Sequence, residues 1–158
     1  MRASIWLALA LYTTGEISRL RWREGQTEHT RAALAIWSIG FALYVTHVLL
    51  AFGTFHHWSH SAAYTFTAEQ TETLVGWRWG GGLFVNHLFS AIWLAELTCW
   101  WVAPNRYRGR ARWADLGVRL FFAFMIANGA VVFVQGPARL LGITITATLL
   151  FGFYKYRR

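Results

Sequence analysis

A predominantly apolar run from Ala32 to Phe55 constrains this chain more than any other feature, because it contains no Asp, Glu, Lys or Arg. About 20 predominantly apolar residues are enough for one helix to cross the hydrocarbon core of a bilayer. The whole chain has the same character, since 56% of its 158 residues are hydrophobic and 14% are charged. A soluble domain of this length has too little interior to remove so much apolar surface from water. The sequence therefore predicts an integral membrane protein.

Four further segments extend this prediction to an all-α bundle of five transmembrane helices. The first segment is marginal, and the bundle has four spans if that helix does not cross completely. The five predicted spans are Ser4–Leu20, Ala32–Phe55, Gly81–Ala103, Leu116–Gln135 and Leu140–Tyr154. Pro104 ends the third span, and Gly136 with Pro137 separates the fourth from the fifth. No internal repeat divides the chain, so residues 1–158 are expected to form a single transmembrane domain.

The basic residues are gathered in short clusters that lie between the apolar runs. These clusters are Arg19, Arg21 and Arg23; Arg106, Arg108, Arg110 and Arg112; and Lys155, Arg157 and Arg158. With five spans all three clusters fall on one side of the membrane, which the positive-inside tendency assigns to the cytoplasm. The C-terminus is then cytoplasmic, and a bacterial inner membrane is the default localisation. The clustering argues against nucleic acid as a partner, because nucleic-acid binding requires basic residues together on one face.

The segment that follows the second span is rich in histidine and is predicted to lie outside the cytoplasm. It has no Gly or Pro between Thr54 and Val75, so the second helix is expected to continue to about Thr67. His56 and His60 would then lie one helical turn apart on the same face. Imidazoles at this spacing can share a metal ion, and His57 with His60 offers a second pairing. The metal prediction therefore names His56, His57 and His60, with solvated interfacial histidines as the alternative.

Two further histidines lie inside predicted spans at similar depth. His47 is about eight residues from the outer end of the second span, and His87 is about six residues from the outer end of the third. Two histidines at one level on neighbouring antiparallel helices can hold a b-type haem or a transition-metal ion. His47 and His87 are therefore the predicted cofactor ligands, and we expect them to approach each other. The alternative is a structural hydrogen-bonded layer that also contains Asn86 and Asn128.

Charged residues within the spans are expected to pair inside the bundle. Glu16 lies one helical turn from Arg19, and Arg119 has roughly the right depth for Glu96. No nucleophile–base or paired-carboxylate arrangement indicates an enzyme.

The sequence favours a non-catalytic accessory or structural subunit of a larger membrane assembly. Its partners would be lipid and other membrane subunits, or further copies of the chain. The alternative is a haem- or metal-binding redox protein that uses His47 and His87.

The topology is testable by labelling introduced cysteines with a membrane-impermeant reagent in intact cells. A cysteine in place of Arg108 should be protected on the cytoplasmic side, whereas a cysteine in place of Thr67 should react from outside. The reason is that one predicted span, Gly81–Ala103, separates the two positions. Labelling of both positions from the same side would contradict this arrangement.

Overall fold

The computed structural model describes residues 2–22 and 28–155, and every regular element within them is helical. The elements are α1 (Arg2–Trp22), α2 (Glu28–His56), α3 (His60–Val75), α4 (Gly82–Val102), α5 (Pro104–Arg108), α6 (Arg112–Ala127) and α7 (Ala138–Lys155), with one π-helical turn (Asn128–Val132) after α6. Three members of the predicted basic clusters, Arg23, Arg157 and Arg158, lie outside the described residues.

Three helical segments of the described chain are long and apolar enough to cross a membrane. They are Arg31–His56, Gly82–Val102 and Arg112–Val132. A helical membrane bundle is therefore consistent with the structure, and these segments correspond to the second, third and fourth predicted spans. The helices α1 and α7 do not reach the same apolarity over their length, so five spans are not established by composition.

Successive long helices of the bundle run in opposite directions. Ser4 of α1 lies beside His47 near the end of α2, whereas Gly15 of α1 packs on Trp37 near its beginning. Tyr44 of α2 bonds Ser90 of α4 at 2.8 Å, and Trp101 at the end of α4 donates to Ser38 nearer the start of α2 at 3.1 Å, so these two helices are also antiparallel neighbours.

The helices α6 and α7 are also antiparallel. Gly142 near the start of α7 packs on Ala130 in the turn that follows α6, and Arg119 in the middle of α6 lies 5.7 Å from the ring centroid of Phe153 near the end of α7. We call the end of the bundle that holds α5 the basic end, and the opposite end, where α2 turns into α3, the histidine end.

Large aromatic side chains fill the centre of the bundle. Tyr12, Trp37, Trp93 and Phe122 come from four different helices, and their ring centroids lie 5.2 to 6.2 Å apart. Each of them is at most 2% exposed. Aromatic pairs at this separation add about 0.5–1.5 kcal/mol beyond the area that they bury. The core therefore joins α1, α2, α4 and α6 directly.

The expected continuation of the second helix to Thr67 is wrong. The helix α2 ends at His56, and the backbone reverses through His57 and Trp58, whose φ angles are 48° and 60°. The side chain of Ser59 then caps α3 by accepting a hydrogen bond from the Ala62 N–H at 3.3 Å. A serine cap satisfies one of the N–H groups that a helix start leaves open. The chain can therefore begin a new helix here without Gly or Pro.

The close approach of α7 to the π-helical turn gives a stability prediction. A Cβ atom on Gly142 would lie 1.9 Å from the Ala130 carbonyl oxygen, so Gly142→Ala must force the two helices apart. We expect a loss of about 1–3 kcal/mol, the usual range for overpacking, measured as a lower thermal unfolding midpoint in detergent.

Gly117→Ala in α6 is the matched control, because a Cβ there meets nothing within 4 Å. Alanine at an unhindered helical position stabilises by up to about 1 kcal/mol. A Gly142→Ala protein as stable as Gly117→Ala would contradict the close α6–α7 contact.

Candidate functional site

The histidines of the turn between α2 and α3 do not share one helical face. His56 is the last residue of α2, His57 lies in the turn, and His60 is the first residue of α3. The spacing argument for a metal site at His56, His57 and His60 therefore fails, because it required one continuous helix. Phe52 contacts both His56 and His60, with ring centroids 6.0 and 5.0 Å away.

The structure gives His47 and His87 different neighbours. Nδ1 of His47 lies 3.3 Å from the hydroxyl of Ser4 on α1. His87 is exposed on α4, and among the described residues its ring contact is with His60, at a centroid distance of 5.5 Å. The expected approach of His47 to His87 is therefore not formed. That either residue binds a cofactor stays a prediction.

The structural layer considered as the alternative is also not formed in the described bundle. The amide of Asn128 donates to the Phe124 carbonyl of its own helix at 2.9 Å, and Asn86 is exposed. Within residues 2–22 and 28–155, no three His, Cys, Asp or Glu side chains converge as a metal site.

A buried polar network occupies the basic end of the bundle. We call it the arginine–carboxylate cluster, and its members are Glu16, Arg19, Glu96, Tyr107, Arg110, Asp115 and Arg119. They come from α1, α4, α5, α6 and the loop before α6. All are buried except Arg110, which is half-buried, and Glu16 is 0% exposed.

Asp115 is the hub of this cluster because it contacts all three arginines. Its Oδ1 accepts from Nε of Arg110 at 3.1 Å and from Nη1 of Arg19 at 3.3 Å. Its Oδ2 lies 2.8 Å from Nη2 of Arg119, one helical turn further along α6. Asp115 thereby joins α1, α6 and the loop that precedes α6.

Glu16 holds two of the same arginines from the side of α1. Arg19 donates through Nε and Nη2 to the two oxygens of Glu16 at 2.8 and 2.6 Å, a two-pronged geometry typical of strong arginine–carboxylate pairs. Nε of Arg119 lies 3.3 Å from Oε1 of Glu16. The predicted Glu16–Arg19 pair is therefore confirmed, and it is part of a larger network.

Tyr107 connects the cluster to α4. Its hydroxyl accepts from Nη1 of Arg19 at 2.7 Å and donates to Oε2 of Glu96 at 2.9 Å. Arg110 bonds the other oxygen of Glu96. The predicted Glu96–Arg119 pair is wrong, because the chain after α4 folds back and places Tyr107 and Arg110 against Glu96 instead.

The cluster is electrically balanced, since Arg19, Arg110 and Arg119 face Glu16, Glu96 and Asp115. Burial raises the pKa of the Tyr107 phenol well above its ordinary value, so its hydroxyl keeps the proton that it donates to Glu96. Burial alone would lower the pKa of Arg110, but its hydrogen bond to Glu96 and the nearby Tyr107 raise it above the ordinary value. Arg110 therefore stays charged where it contacts Glu96 and Asp115.

Sequence reasoning missed Asp115, although the sequence carried a usable signal for it. Asp115 and Arg119 are four residues apart, the spacing of a helical ion pair. The sequence carries no such signal for Arg110. This residue belongs to a cluster of arginines that the positive-inside tendency already accounted for.

Comparison of the chain with protein-family models, with curated proteins and with solved structures finds no match.

Because Asp115 contacts all three arginines, we expect its replacement to lower the stability of the bundle strongly. Asp115→Asn leaves Arg19, Arg110 and Arg119 opposite two carboxylates, and loss of one partner from a buried ion network costs about 3–5 kcal/mol. We expect this decrease in the free energy of unfolding, measured by titration with sodium dodecyl sulfate in mixed micelles.

Glu72→Gln is the matched control, because it removes one carboxylate from the pairing with Arg78, whose side chain is 55% exposed. Exposed ion pairs contribute no more than about 1 kcal/mol. Equal losses in the two variants would show that the arginine–carboxylate cluster does not stabilise the bundle.

Proposed function

We propose that this chain is a non-catalytic structural subunit of a larger membrane assembly. In this proposal five helices hold it in the bilayer, and the exposed face of α4 docks onto a transmembrane helix of another subunit. The basic end faces the cytoplasm, as the arginines between α4 and α6 favour, and the C-terminus lies on the same side.

The alternating directions of the long helices support five crossings. Each of α2, α4, α6 and α7 runs opposite to the long helix before it, so each would return the chain to the other side. The 21 residues of α1 and the 18 residues of α7 extend about 31 and 27 Å at about 1.5 Å per residue. These lengths are close to the thickness of the hydrocarbon core, about 30 Å.

The interior of the bundle supports a structural role. Its carboxylates and arginines are engaged with each other, and its aromatic rings fill the space between four helices. These groups hold the helices in fixed relative positions. Recognition of another protein must then use the outer surface.

The outward face of α4 is the observation that carries the docking proposal. Ala91, Ala95 and Cys99 follow one another at intervals of one helical turn, and all three are exposed. Small residues at this spacing let the backbone of a second membrane helix approach closely.

Cys99 permits a direct test, because it is the single cysteine of the chain and lies on this face. A thiol-anchored benzophenone attached to Cys99 in native membranes should cross-link, on illumination, to one other membrane protein that mass spectrometry identifies. Ala95→Leu should reduce this adduct strongly, since the added bulk prevents close approach of the partner helix.

The matched control moves the probe to another exposed helix. In a Cys99→Ala, Phe151→Cys protein the probe lies on α7, where Phe151 is 66% exposed, and the same adduct should not form. Adducts that contain only lipid or a second copy of this chain would contradict docking onto a different subunit.

A further inference from the structure

We propose that His60 and His87 together bind one divalent transition-metal ion at the histidine end of the bundle. The pair combines one residue from the turn after α2 with one residue from α4, and the two lie far apart in sequence. The proposal goes beyond the structural role, and it does not depend on the docking face of α4.

The geometry of the two imidazoles suits a shared ion. Their ring centroids lie 5.5 Å apart and their planes are inclined by 74°. With metal–nitrogen bonds of about 2.0–2.1 Å, two imidazoles on one ion hold their centroids roughly 5 to 6 Å apart. The two rings therefore already have the separation that a common ion requires.

The position of His60 is set by the turn at His57 and Trp58, which the sequence did not predict. It is the first residue of α3, directly after the capping Ser59, and its ring packs on Phe52 at 5.0 Å between centroids. The Ser59 N–H also donates to the His56 carbonyl at 2.8 Å. These contacts direct the start of α3 toward α4.

Close packing of α3 on the start of α4 and on the loop before it brings His87 beside His60. A Cβ on Gly80 would lie 2.5 Å from the Tyr64 carbonyl oxygen, and a Cβ on Gly82 would lie 3.1 Å from the Thr67 methyl group. Ala63 and Ala68 of α3 are buried. Because the backbones approach so closely, α3 presents His60 at the level of His87, in the second turn of α4.

The chemistry of the pair indicates the class of ion. Both imidazoles are exposed, and both lie within two helical turns of the histidine end of the bundle, where an ion can enter. In the part of the chain that the structure describes, no third His, Cys, Asp or Glu joins them, which leaves coordination positions for water. Imidazole suits Cu²⁺, Ni²⁺ and Zn²⁺, and Cu²⁺ binds most tightly among the divalent ions of the series.

Metal binding at this place has a structural consequence. An ion held by His60 and His87 links the start of α3 to α4, across the turn at His57 and Trp58. A ligand that binds only the folded state raises stability. Binding should therefore raise the thermal unfolding midpoint, and both histidines should be needed for the increase.

The test uses the full chain, purified without a polyhistidine tag in detergent and titrated with Cu²⁺. Electron paramagnetic resonance should show one bound Cu²⁺ with two imidazole nitrogens. Loss of an outer-shell partner already costs about 10–100-fold in metal affinity, so His60→Ala and His87→Ala should each weaken binding by at least about tenfold. Each should also remove one nitrogen from the spectrum and abolish the rise in unfolding midpoint.

His57→Ala is the matched control, because His57 is exposed in the same turn but lies outside the pair. It should leave affinity, spectrum and the Cu²⁺-induced stabilisation unchanged. Each variant is first compared with the wild type by circular dichroism without metal, and His60→Gln and His87→Gln replace any alanine variant that is misfolded. Absence of binding, or binding that survives loss of either His60 or His87, would overturn the proposal.

Discussion

Three arginines and three carboxylates, all but Arg110 buried, pair at one end of a largely apolar bundle and impose a strict condition on the rest of the structure. A buried charge without its partner costs several kcal/mol, so α1 and α6 must meet in the register that brings Asp115 against Arg19 and Arg119 against Glu16. Apolar surfaces tolerate small slips between helices, whereas a charge hub of this kind does not. The cluster thus specifies the arrangement of α1, α4 and α6 at the basic end.

The aromatic core continues directly from this cluster. The ring of Trp100 stacks on Tyr107 at 5.4 Å, and the guanidinium of Arg19 lies 5.7 Å from the centroid of the Trp37 ring. Arginine over an aromatic face is favourable, and more so where water is excluded. Charge pairing and ring packing therefore reinforce each other along the bundle axis.

The two ends of the bundle differ in whether their polar side chains are engaged in the interior or exposed at the surface. At the basic end α5 folds back and brings Tyr107 among the buried charges, so the polar groups there are engaged in the interior. At the histidine end two residues with left-handed backbone reverse the chain, and the imidazoles of His60 and His87 remain exposed. Interior groups hold the fold, while groups at the surface are available to a ligand or a partner.

The sequence by itself determined the helical class, the three strongest apolar helices and the local Glu16–Arg19 pair. These features depend on composition and on neighbours within one or two helical turns. Tertiary structure decided that Glu96 meets Arg110, that His87 meets His60, and that α2 ends at His56. Depth along a helix gives the level of a side chain but not the direction in which it points. That direction depends on how each helix is rotated in the bundle, which is set by contacts such as Gly142 on Ala130 and Gly80 on Tyr64.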